Sequence, residues 1–168
     1  MVDAAAEFWR FSLTVYARPG VASSCLALQD RLGLDVNLLL FCCWAAARGH
    51  RLDPAELAAA EAASAAWQRD IVTPLRGIRR QLAHPPALDP ADAAILYDRA
   101  KQLELAAEEA EQRLLATAVP FAPREVDDAR QADDTVANLK LYLGRVDGRA
   151  DDQAAVALAT LAAGCRPT

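Results

Sequence analysis

Histidine is nearly missing from this chain, with two in 168 residues, and glycine and the aromatic residues are thin as well. Each scarcity removes a class of chemistry. The seven glycines are scattered toward helix ends, so no glycine-rich phosphate loop and no nucleophile elbow can be assembled. His50 and His84 stand beside Gly49 and Pro85, where they read as helix-terminal residues favoured by the dipole rather than as ligands. A di-iron bundle needs Glu-x-x-His on two helices, and the chain has neither. Its four cysteines, Cys25, Cys42, Cys43 and Cys165, lack metal-ligand spacing and read as buried reduced thiols. No cofactor and no metal set is expected. Positive charge is also short: 18 basic against 23 acidic residues, net charge -5, does not suit a nucleic-acid binder or an anionic-membrane binder. Acids at Asp3 and Glu7 do not suit a secretory signal, and the longest apolar run, Leu38 to Ala47, is about half the roughly 20 residues a bilayer span needs. A soluble cytoplasmic protein is the expectation.

What the chain has in abundance is alanine, 39 residues, within a composition that is 54% hydrophobic. Alanine is the best helix former, and the β-branched and aromatic residues that sheets prefer are sparse beyond the first quarter. The fold class is therefore all-α. Helix punctuation divides the chain into seven to eight helices in one orthogonal or bundle-like domain spanning 1–168, with the Pro-rich stretch 85–90 as its one candidate seam. Asp3 caps a helix to about Tyr16, stopped by Pro19-Gly20; a second runs from Val21 to Leu32 before Gly33; and Asp35 caps a third over 36–48. That third helix is apolar on every side, which places it at the centre of the core. Asp53-Pro54-Ala55-Glu56 is a capping box opening a helix with Leu57, Trp67 and Ile71 as core candidates; Pro74 either kinks it or leaves Thr73 to cap a separate one. Asp89-Pro90 opens a long helix on which Leu96, Ala100, Leu103, Ala107, Ala110, Leu114 and Thr117 follow a 4-3 spacing, a seam another helix could approach closely. Asp127 and Asp151 mark the last two.

Charge clusters have bland and sharp readings. Glu104, Glu108 and Glu111 share a helical face and, without histidines, read as a solvated stripe. Asp127, Asp128, Asp133 and Asp134 resemble a magnesium-diphosphate motif, but all four lie in one stretch near a helix start, where capping accounts for them. Arg48, Arg51, Arg69, Arg76, Arg79 and Arg80 form a basic cluster on an acidic protein. It could grip a partner's carboxylates, or it could pair with the acidic back half of the same chain. In the front third, Trp9, Ser12 and Tyr16 share one face of the first helix, Gln29 lies on the second, and Asp30, Asp35 and Asn37 surround the next turn. These residues with Trp44 could line a ligand pocket, with Asp30 or Asp35 as a base; equally, Asp35 caps a helix and the others satisfy backbone.

The run Phe8-Trp9, Ser12, Tyr16, then Cys25-Leu26-x-Leu28-Gln29-Asp30, then Asp35-Val36-Asn37-Leu38-Leu39-Leu40 and Trp44 resembles the signature of an uncharacterised proteobacterial family of small all-helical proteins, a domain of unknown function. The resemblance covers residues 8 to about 84 and implies a cytoplasmic bacterial protein, but carries no activity; adjacent Cys42 and Cys43 depart from it. Two readings follow. One is a non-enzymatic interaction or regulatory module that binds a protein partner or itself through the basic cluster or the alanine seam. The other is a small-molecule binder or enzyme with a pocket among the first three helices.

Overall fold

A computed structural model describes residues 3–85, 88–146 and 151–166. Among them there is no strand, and the helices are α1 (Ala4–Tyr16), α2 (Val21–Leu32), α3 (Val36–Ala47), α4 (Pro54–Trp67), α5 (Thr73–Leu82), α6 (Pro90–Ala118), α7 (Asp128–Leu143) and α8 (Asp152–Gly164). Six of the eight starts carry an aspartate whose side chain accepts from the first backbone N–H groups, at Asp3, Asp35, Asp53, Asp89, Asp127 and Asp151. Asp53 and Glu56 complete a reciprocal capping box. Asp127 is thus a cap. Its neighbours do not form a metal centre, and no group of three or more His, Cys, Asp or Glu among the described residues is arranged to hold an ion.

The centre is α3. Every residue from Asn37 to Ala46 is buried, because α7 covers one side and α1, α2 and α6 cover the others. Burial of its leucines and aromatics contributes about 1.5–3 kcal/mol per large side chain. At its start the Tyr142 hydroxyl of α7 accepts from the Asp35 N–H at 2.9 Å. At its end Gly49 takes a left-handed φ of 69° and lies so close to the Arg124 carbonyl that a Cβ would come within 2.6 Å of it. That approach lets Arg124 N–H bond to the Arg48 carbonyl and brings Phe121 onto the core. All four cysteines are free and buried; burial pushes the Cys25 thiol up to about 12. No helix among the described residues is long and apolar enough to cross a membrane.

Thr73 does not cap a helix at Pro74; it is itself the first residue of α5, and its side chain makes no capping bond. Between α4 and α5 the chain makes one π turn, Gln68–Val72, in which the Thr73 N–H reaches back five residues to the Gln68 carbonyl. The wide turn interrupts the regular ladder just where proline has no N–H to give, and the backbone stays helical from α4 into α5. Both helices pack against α6. The expected core residue Ile71 is 37% exposed, and Val72 takes its place. The long seam is corrected in part: its Ala100 and Ala107 are buried but Leu96, Leu103 and Leu114 are exposed, and the buried residues of α6 are Ala93, Ala100, Glu104, Ala107, Glu111, Gln112 and Leu115. Of the stretch 85–90, Pro86 and Ala87 lie outside the described residues; α5 and α6 on either side of it pack against each other.

Candidate ligand cavity

A cavity of about 430 Å3 opens between α1, α2, α3, α5 and α6. Trp9, Leu13 and Tyr16 of α1, Leu26 of α2, Val36 and Leu40 of α3 and Leu105 of α6 make its apolar walls. Ser12, Asn37 and Gln112 supply a polar floor, and Gln29, Arg76, Arg79, Lys101, Glu104 and Glu108 supply one polar side. Of the eight residues expected to form a pocket, the structure brings Trp9, Ser12, Tyr16, Gln29 and Asn37 to this cavity.

The other three stand elsewhere. Trp44 packs in an aromatic cluster, 4.8 Å from Phe8 and 5.2 Å from Phe121, with the Arg48 guanidinium 5.1 Å above its ring. It lies one turn beyond Leu40 on α3, where Phe8 and Phe121 cover it instead of the cavity. Asp30 is exposed and pairs with Arg80 at 3.1 Å, so it is not placed as a base. Asp35 lies buried beneath Asn37, where its Oδ1 accepts the Asn37 N–H at 2.8 Å.

The stripe Glu104, Glu108 and Glu111 is not solvated. Glu104 is 5% exposed and Glu111 fully buried, because two arginines and an amide meet them. Arg76 Nε donates to Glu104 at 3.1 Å, Nη2 to Glu108 at 2.9 Å and Nη1 to the Gln29 side-chain oxygen at 2.7 Å; Arg79 also donates to Glu104. Burial raises the Glu108 carboxyl above its ordinary range even with Arg76 beside it. The basic cluster is therefore not one open surface. Arg48 pairs with Glu7, exposed Arg69 with its neighbour Asp70, exposed Arg51 lies 3.8 Å from Asp134, and Arg76 and Arg79 turn inward onto α6.

Below the floor runs a hydrogen-bonded chain. Ser12 Oγ donates to Gln112 Oε1 at 3.1 Å, Gln112 Nε2 to Asn37 Oδ1 at 2.9 Å, and Asn37 Nδ2 to Glu111 Oε2 at 2.7 Å. Glu111 Oε1 is buried with no donor facing it, and the Asp35 carboxyl adjoins it. Two carboxylates cannot share a dry site without a proton between them. Burial, and then the Asp35 charge, push Glu111 up to about 10; Asp35 is raised by its own burial. Glu111 is the neutral acid of the pair. Sequence reasoning missed Gln112 and the inward turn of Glu111. The available signal was a run of polar residues on the same long helix directly opposite the arginines.

Fold and site together define an all-helical protein with an amphiphilic cavity over a buried carboxyl pair. The chain belongs to the family described as protein of unknown function DUF2390, whose sequence model matches residues 7–115. That match takes in every cavity-lining residue. No curated protein and no solved structure matches the chain.

Proposed function

We propose that this is a single-domain protein of the bacterial cytoplasm that binds a small amphiphilic molecule between α1, α2, α3, α5 and α6. The observation that carries the reading is the cavity itself. Its volume lies within the roughly 300–1,000 Å3 of small-molecule sites, and it combines apolar walls with a few convergent polar groups, as such sites do. The buried polar floor supports it further. A hydrogen-bonded row of Ser12, Gln112 and Asn37 does nothing for packing that leucines would not do better, but it fixes the polar end of a guest. Among the described residues the cavity lining sets no nucleophile beside a base, so the reading stops at binding. Titration with N-phenyl-1-naphthylamine, an uncharged dye that brightens in apolar surroundings, tests it. Leu105 on the rim is 45% exposed, so Leu105→Trp fills the opening without disturbing the core. The native chain should bind the dye and the variant should bind it at least about tenfold more weakly. Equal binding by both would place the dye elsewhere.

A second reading, self-association, is favoured by one observation. Leu96, Leu103 and Leu114, 42%, 57% and 39% exposed, lie 7 and 11 residues apart and so in a single row along the outside of α6. The fitting occupant is the same row of a second copy, packed across a two-fold axis. Light scattering should give a dimer mass for the native chain and a monomer for Leu103→Glu; a native monomer would remove this reading.

A further inference from the structure

The hydrogen-bonded chain under the cavity has a direction. Glu111 Oε2 takes an N–H from Asn37, which leaves Asn37 its carbonyl oxygen to face Gln112; that takes the Gln112 amide nitrogen and leaves the Gln112 oxygen to face Ser12. An amide has one oxygen and one NH2, so once the first link is set each later link is forced the same way. At the cavity end, Ser12 has given its one hydroxyl proton to Gln112 Oε1. What its oxygen still offers is lone pairs.

We propose that the cavity selects an amphiphile bearing a hydrogen-bond donor, an O–H or N–H, at its polar end, with Ser12 Oγ as the acceptor. This rests on the cavity being a ligand site and says which ligands it takes. Arg76 does not take the place of that donor, because Glu104, Glu108 and the Gln29 oxygen already accept from its guanidinium. An ether or ester oxygen would set lone pairs against lone pairs and strand a buried acceptor.

Indole and benzofuran separate these cases, because they share one shape and differ by a ring N–H in place of a ring oxygen. Calorimetric titration of both into the full chain should show indole binding at least tenfold more tightly, although benzofuran is the more apolar of the two. In Ser12→Ala that preference should fall to within about twofold while benzofuran affinity holds. The comparison on the native chain stands without the variant. Equal affinities, or tighter benzofuran, overturn donor selection and leave the cavity reading in place. If neither probe binds and N-phenyl-1-naphthylamine does not bind either, both readings fall.

Discussion

Replacing Arg76 by methionine should lower the free energy of unfolding by about 3–5 kcal/mol, the range found when one member of a buried ion pair is removed. Methionine refills most of the volume, so the loss comes from charge. Glu104, 5% exposed, keeps only Arg79, and Glu108 loses the guanidinium that offsets its burial. Urea denaturation at neutral pH measures the change. Adding Glu108→Gln to Arg76→Met should restore part of it, since a neutral amide no longer needs a cation, and the departure from additivity gives the coupling between the two residues. A loss below about 1 kcal/mol for Arg76→Met would mean that Arg79 and water satisfy both carboxylates, as at an exposed pair.

The carboxyl pair predicts an unusual pH response. Native Glu111 keeps a proton up to about 10, whereas an unfolded glutamate releases it near 4.5. Between those values the native chain binds more protons than the unfolded chain, so rising pH favours unfolding. The contribution of the pair is fully present below about 4.5 and is lost as pH rises toward 10, at up to about 1.4 kcal/mol per pH unit for one proton. Glu111→Gln mimics the neutral acid: its oxygen still accepts from Asn37 and its NH2 replaces the hydroxyl. The variant should lose this slope and overtake the native chain in stability toward alkaline pH. Melting temperatures of both at pH 5, 7 and 9 test this; parallel curves would show that Glu111 is ionised in the native state.

Local signals account for most of the fold. Asp3, Asp35, Asp53, Asp89 and Asp151 each read as caps because a carboxylate before an alanine-rich run has one obvious use, and each caps a helix. The all-apolar stretch Leu38–Ala46 could only be surrounded, and it is. The front half of the cavity was legible for a similar reason: Trp9, Ser12, Tyr16, Gln29 and Asn37 are polar or aromatic residues on short helices close in sequence. Its back half was not. Whether Glu104, Glu108 and Glu111 meet water or Arg76 depends on which face of a 29-residue helix turns inward, and alternation of leucine and alanine pointed to the wrong one. Leu103 and Glu104 are adjacent, so a rotation of one residue exchanges an apolar seam for a charged one. Trp44 misled through its residue type: an aromatic close in sequence to polar residues reads as a ligand contact, but stacking on Phe8 holds it in the core.

The π turn has a consequence for how this sequence stores its interfaces. Leu57, Ala60, Ser64 and Trp67 lie along one face of α4, and on an unbroken α-helix the residues continuing that face would be Ile71, Leu75 and Ile78. That is an ordinary apolar stripe. The extra residue in Gln68–Val72 advances the phase by one, so that Val72, Arg76 and Arg79 arrive instead. Residues 71–79 thus encode two interchangeable faces, one greasy and one cationic. A single backbone residue acts as the selector between them. Rewinding that turn as regular α-helix at the same length would exchange the charged wall of the cavity for a hydrophobic one without altering a side chain of α5, whereas removing one residue from the turn would keep the charged face in place.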